Sequence, residues 1–232
     1  MRSYGTCAYG VRAPIIRAGD DLVSIVADSV MAVVEEKEIN LKEKDIVAVT
    51  EAIVAKSQGN FAMLSDISED VRKKIGGCKV GLIFPILSRN RFIGILEGIA
   101  DAVDELVIML SYPFDEVGNP LVSIDRLYDL GISKFDKEFT AEEFYGLVGK
   151  TEHPFTGVDY IQTYLDACKG KAKIILSNDP VDILKYTKKV ICADIHSRKR
   201  NKKLLLSNGA ENVLTLDEIL NEPSKDHGYP EL

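Results

Sequence analysis

Lys56-Ser57-Gln58-Gly59 closes an apolar run that begins at Asp45, and its side chains suit an anion. A lysine there can neutralise a phosphate, with the Ser57 hydroxyl and nearby backbone donors completing a cradle. The glycines and the Gly-Lys-Ser/Thr sequence of a Walker A loop are absent, and a solvated turn explains the same residues. Ser88-Arg89-Asn90-Arg91 stands between an expected strand and helix. Arg89 and Arg91 could clamp a phosphate or carboxylate beside helix N-terminal amides, or form a solvated basic loop. Asp115 and Glu116 follow a second apolar strand, and such hard oxygen donors suit Mg²⁺ or Mn²⁺. A surface loop is the alternative. Asp194 ends a third apolar run and His196 follows closely, so both could reach a cleft. Neither has zinc-site spacing, and chain order alone does not define a catalytic dyad.

Weaker signals accompany these. In Gly19-Asp20-Asp21-Leu22 helix capping accounts for both carboxylates, with metal binding as the other reading. His153, in His153-Pro154-Phe155-Thr156-Gly157-Val158-Asp159-Tyr160, reads as an ordinary loop or packing residue. The basic run Arg198-Lys199-Arg200-Asn201-Lys202-Lys203 reads as a solvated turn that could gather an anionic substrate.

The elements that must position these groups alternate. A helix capped by Asp20 or Asp21 runs to about Glu36, and Asp45 to Val49 reads as a strand, with a continuation or a short hairpin allowed to Ala55. Helices are expected over Asp66–Ile75, Asn90–Ala102, Ile124–Leu130, Ala141–Leu147, Gly157–Cys168 and Pro180–Tyr186. Strands are expected over Lys79–Pro85, Glu105–Leu110, Lys173–Leu176, Val190–Asp194 and Leu204–Leu206, with a last helix over Val213–Ile219. Gly94 and Gly98, four apart, admit close packing of their helix on another element. The pattern predicts an α/β fold with a mixed or mostly parallel sheet and flanking helices. It reads as a single domain over residues 1–222 with an irregular middle at 112–157, then an exposed tail or the start of a further segment at 223–232.

A chain of 232 residues can bury a sizeable core. Its net charge of -7 provides no broad field for nucleic acid, though a nucleotide needs only a local cation and directed amides. No stretch has the length of a membrane span or signal core, so a cytoplasmic protein with no membrane partner is expected. Cys7, Cys78, Cys168 and Cys192 are far apart, which favours buried free thiols over disulfides or a zinc site.

Several segments resemble the coenzyme F420-0:L-glutamate ligase (F420-0 gamma-glutamyl ligase) family. They are Pro14-Ile15-Ile16, Gly19-Asp20-Asp21-Leu22, Lys44-Asp45-Ile46-Val47-Ala48-Val49 and Ile53-Val54-Ala55-Lys56-Ser57-Gln58-Gly59. Ala55 and Gln58 stand where the family has Ser and Glu, and its Gly-Ile-Asp-x-Ser-Asn and Thr-Asp-Thr-x-Gly-Arg segments have no counterpart. Ser88–Arg91, Asp115–Asn119, Thr156–Tyr160 and Asp226–Tyr229 resemble a divergent bacterial branch whose proteins are longer, so this chain reads either as a truncated product or as an N-terminal portion.

The resemblance implies a dimer with an unusual α/β fold, using GTP (or ATP) and Mg²⁺ or Mn²⁺ to form a gamma-glutamyl amide. It places Pro14, Ile15, Ile16, Glu51, Lys56 and Ser57 near the nucleotide. The expected partners are a nucleotide, an amino acid such as L-glutamate and a small carboxylate, activated as an acyl phosphate and captured by the amine. Two other functions fit the same groups: a phosphoryl-transfer or hydrolytic enzyme, and a non-enzymatic nucleotide-responsive binding or scaffold module.

Overall fold

The computed structural model describes residues 5–153 and 156–223. The expectations for His153–Tyr160 in part, for the 223–232 tail beyond Pro223 and for Asp226–Tyr229 lie outside the described residues. Contacts group the chain into two compact units, one holding residues 5–62 and Pro223, the other Met63–Glu222.

The first unit is helical. Helix α1 (Leu22–Glu36) starts at Asp21, whose carboxylate accepts from the Ser24 backbone N–H at 3.1 Å and its hydroxyl at 2.7 Å. Asp20 accepts from the Arg17 N–H at 2.7 Å and closes the turn before the helix. Both acids of the Gly-Asp-Asp sequence are therefore occupied by local backbone, as the capping reading requires. Helix α2 (Glu51–Gln58) corrects the expected strand and turn. Among the described residues of this unit there is no strand, and Ile46, Val47 and Val49 are exposed on unpaired chain. An apolar β-branched run forms a strand only where a partner edge is present, and none is. Gly59 ends α2 with φ +72°, a left-handed cap that other side chains resist.

The second unit carries the core. Its six-stranded sheet has the order β3-β4-β2-β1-β5-β6. The strands are β1 (Lys79–Ile83), β2 (Glu105–Leu110), β3 (Phe139–Thr140), β4 (Ala172–Leu176), β5 (Lys189–Cys192) and β6 (Asn212–Thr215). Only the β3–β4 pairing is antiparallel. Leu82, Ile108, Ile174 and Ile191 enter one apolar layer, while Ile83, Val107, Ile175 and Val190 enter the other. That period of two, buried on both faces, explains why the strands read as continuous apolar runs.

Helices α3 (Leu64–Ile75), α4 (Ile93–Ala102), α6 (Ala141–Val148) and α7 (Tyr160–Ala167) supply the first layer through Val71, Leu96, Phe144 and Tyr164. Helix α5 (Ile124–Asp129) joins it through Leu127. The opposite layer is built on Leu205 of α8 (Arg198–Ser207) and Ile183 of a 3₁₀ helix, Pro180–Lys185. The chain thus leaves β1 toward one face and reaches β5 and β6 by the other, the doubly wound arrangement.

Four expectations are corrected here. Leu204–Leu206 lies inside α8, because Asn201 and Leu205, four apart, share its buried face. The basic run from Arg198 is helix for the same reason, and not a turn. Val213 to Thr215 is strand, followed by a 3₁₀ turn at Leu216–Glu218. The helix expected at Pro180–Tyr186 is a 3₁₀ helix, capped by Asp179 at the Val181 N–H, 2.9 Å.

All four thiols are free, but only Cys168 and Cys192 are buried; Cys7 and Cys78 are exposed, which corrects the expectation of four buried thiols. Burial pushes both Cys168 and Cys192 up to about 12, assisted by Glu97 at the first and Asp194 at the second. Thiolate is the reactive form, so a thiol reagent at pH 8 should label Cys7 and Cys78 rapidly and the other pair only on unfolding. Fast labelling at all four positions in the native protein, mapped by peptide mass, would contradict this packing.

Candidate functional site

In a doubly wound sheet, ligands bind outside the carboxyl ends of the strands where the strand order reverses. Here that point lies between β1 and β5. A cleft of about 280 Å³ opens there, lined among others by Phe84, Phe114, Asp115, Glu116, Asp194, Arg200 and Asn201. A larger hollow of about 620 Å³ lies on the first unit beside Tyr9, Arg12, Asp28 and Glu36. It holds no buried polar group, so the smaller cleft is the stronger candidate.

Three carboxylates meet the cleft, and the sequence reading named all three. Their surroundings differ. Asp115 is buried and saturated: it accepts from the N–H of Leu87 at 2.8 Å, Val117 at 3.0 Å and Asn119 at 2.8 Å, and from the Asn119 amide at 2.7 Å. It ties the loop after β2 to the loop after β1. Glu116 reaches across to the β5–α8 turn, accepting from Ile195 N–H at 2.5 Å and His196 N–H at 3.1 Å. Burial opposes its ionisation, but the His196 and Ile195 amides and the Ser197 side chain outweigh that and hold its carboxyl below the usual range.

Asp194 is the opposite case. It is 1% exposed, and neither carboxylate oxygen has a hydrogen bond of good geometry. Burial raises its carboxyl above the usual range; the Asn201 side chain, its own N–H and Arg198 offset this only in part, and the Glu116 charge adds to it. The Arg198 guanidinium holds the Asp194 carbonyl at 2.8 Å while also pairing with Asp217 at 3.1 Å, which fixes the backbone at this strand end.

The loop after β1 is also restrained. The Tyr164 hydroxyl donates to the Ile86 carbonyl and accepts from the Ser88 N–H at 3.0 Å. Phe84, at the cleft, holds φ 53°, a left-handed conformation uncommon for a bulky residue and one that clusters at functional sites.

The other expected residues are placed as follows. Arg89 and Arg91 are exposed in the β1–α4 turn without ion pairs among the described residues, and neither lines the cleft. His196 is exposed and meets Glu116 through its backbone N–H; it does not line the cleft with Asp194. His153 donates its N–H to the Val158 carbonyl at 2.8 Å, and Asp159 caps α7 at the Gln162 N–H, 3.1 Å.

In the first unit the two halves of the motif set meet. The Gly19 N–H donates to the Ser57 carbonyl at 2.8 Å, and a side chain on Gly59 would lie 3.8 Å from Ala18. Ile16 is buried, whereas Pro14, Ile15, Glu51 and Lys56 are exposed. Thr50 makes no side-chain cap; its carbonyl accepts from the Ile53 and Val54 amides at 3.2 and 3.3 Å, which leaves those of Glu51 and Ala52 at the helix start to face an anion. Lys56 sits in the last turn of α2, where it also complements the helix dipole. These groups fit a phosphate-bearing nucleotide.

A divalent ion does not fit Asp115 and Glu116. Asp115 has four N–H donors on its oxygens, and no set of three or more His, Cys, Asp or Glu is arranged for a metal among the described residues.

Phe84, Asn178 and Asn201 escaped the sequence reading as individual contributors. Asn201 left a trace, a polar residue four before buried Leu205 on one helix face.

Fold and topology together define an α/β protein of the doubly wound class, with a cleft at the point where the strand order reverses. The F420-0:Gamma-glutamyl ligase family matches residues 10–193 of the chain, which therefore belongs to that family and has a function of the gamma-glutamyl ligase type. No curated protein and no solved structure matches it. No described helix is long and apolar enough to cross a membrane.

Proposed function

We propose that the protein joins an amino acid such as L-glutamate to a small carboxylate substrate at the expense of GTP or ATP. The family match, which spans both the Gly19/Lys56 motif set and most of the sheet, carries this reading. The nucleotide would be held in the first unit by Lys56, the open amides at the start of α2, and the Pro14–Ile16 and Glu51–Ser57 segments around them. When bound it supplies the phosphoryl group that activates the carboxylate. Arg89 and Arg91, exposed at the β1–α4 turn and without ion pairs among the described residues, are assigned to orienting an anionic substrate. A pair of subunits and a cytoplasmic setting belong to the same proposal.

Calorimetric titration tests the nucleotide assignment, with GTP and ATP each run with and without Mg²⁺ or Mn²⁺. Saturable binding is expected, weakened about tenfold or more in Lys56→Ala, since one charge-assisted contact is lost. Lys56 is exposed, so the variant should keep its melting temperature. Equal binding by Lys56→Ala would remove Lys56 from the site. Absence of binding by folded protein would remove the nucleotide from this chain.

A further inference from the structure

We propose that the cleft where the strand order reverses is a binding site for a primary ammonium group, with Asp194 as its counter-carboxylate and Glu116 as a second acceptor. Of the three carboxylates there, Asp115 is saturated by four N–H donors and Glu116 accepts from two backbone amides. Asp194 is buried to 1% exposure and neither of its oxygens has a hydrogen bond of good geometry, the Asn201 side chain offsetting its burial only in part, yet the residue lines the cleft. An ionisable group kept in that state is an acceptor awaiting a donor.

The chemistry of the cleft selects the donor. A ligand anion would meet Asp194 and Glu116, both acceptors of the same sign. A divalent ion wants six or so oxygens, but the third acid, Asp115, is already taken up by four N–H donors, and no group of three or more His, Cys, Asp or Glu is arranged for a metal among the described residues. An ammonium offers three N–H donors and one positive charge, which answers both needs. At the rim, Arg200 is exposed without an ion pair among the described residues, so it can take a carboxylate on the same ligand. The ligand is therefore a small amine that bears a carboxylate. This places the amine-bearing substrate of the ligase and rests on that reading for its role; the binding itself stands apart.

Protonation sets the sign of the pH dependence. The groups facing Asp194 are Glu116 from the loop after β2, Cys192 on its own strand, and Arg198, Arg200 and Asn201 on α8. Burial raises the Asp194 carboxyl, so the folded state holds its proton more tightly than the unfolded chain does. Its contribution to stability is present at acid pH and lost as pH rises through the raised value. Amine binding runs the other way, because only the carboxylate pairs with an ammonium; affinity should fall as pH drops through that value.

The test is an amide chemical-shift titration of the ¹⁵N-labelled 232-residue chain. L-glutamate should shift Glu116, Ile195, Ser197 and Asn201 saturably. Glutarate, with the same two carboxylates and no amine, should bind about tenfold weaker or less. Asp194→Asn should lose about tenfold or more in glutamate affinity together with the pH dependence, and melt no lower than the native protein at neutral pH. Should that variant unfold, Arg200→Gln on the surface replaces it, and is expected to weaken glutamate while leaving n-propylamine unchanged. Equal binding of glutarate, Mg²⁺ alone shifting the same amides, unchanged affinity in the variants, or no shift with glutamate would each overturn the site. Glutamate shifts at these amides without any nucleotide-dependent product would sink the ligase reading and leave the site standing. Product formed by Asp194→Asn at an unchanged KM for the amine would do the reverse.

Discussion

Asp115→Ala should cost about 3–5 kcal/mol of stability, because it removes one carboxylate that accepts four N–H groups at once. The Leu87 amide sits beside a buried side chain and would be left without an acceptor, which carries the full desolvation penalty of that group. The loops after β1 and β2 would then separate at the mouth of the cleft. In a chain of this size a loss of that order lowers the melting temperature by roughly 10 °C or more. Asp115→Asn keeps one carbonyl acceptor and should lose less. Calorimetric melts of the two variants decide it: a drop of only a degree or two for alanine would mean that these bonds do not hold the loops. The same result would reopen Asp115 to other ligands.

The second large effect is expected at Gly98. A Cβ there would lie 2.8 Å from both Cβ and Cγ2 of Ile67, and 3.2 Å from the Leu64 carbonyl oxygen. None of these is the end of a flexible side chain, so α3 and α4 would have to move apart. Overpacking of this kind costs about 1–3 kcal/mol, more than the gain of up to about 1 kcal/mol that alanine brings to a helix interior. Gly94 is the control, because its Cβ would meet only Leu64 Cδ2 at 3.6 Å, an ordinary contact. Gly94→Ala should therefore be neutral or mildly stabilising while Gly98→Ala is destabilised. Urea titration of both gives the comparison directly, and equal midpoints would contradict the close approach of the two helices.

Sequence carried the sheet well where burial on both faces left uninterrupted apolar runs. β2 is found at Glu105–Leu110 as expected, and β1 and β4 lie within two residues of the expected spans. The glycine spacing in α4 was equally legible, because Gly98 has a geometric job that no other residue can do. Asp45–Val49 failed for a different reason: alternation and β-branching say that a segment can be extended, but not that an edge exists to pair with it. Leu204–Leu206 failed because three leucines carry no period by themselves, and only Asn201 and Leu205 together reveal the helix face.

At the site, the strand-end rule pointed to Asp194, and that residue lines the cleft. What no spacing could reveal is how unequally the acids are treated. Asp115 is consumed by loop amides, Glu116 caps a turn about eighty positions away, and of the three only Asp194 has no hydrogen bond of good geometry on its carboxylate. Those differences arise from tertiary contacts between loops that are far apart in the chain.

The central claim is that this chain makes an amide bond, and the most direct measurement is product itself. The 232-residue chain would be incubated with L-glutamate, a panel of small carboxylates, and GTP or ATP with Mg²⁺ or Mn²⁺, with phosphate release followed alongside mass spectrometry. The account predicts phosphate release that requires both glutamate and a carboxylate, matched one for one by a product joined to glutamate with loss of water. Nucleotide hydrolysis that ignores glutamate, with no joined product, would contradict it and point to a phosphoryl-transfer or hydrolytic enzyme.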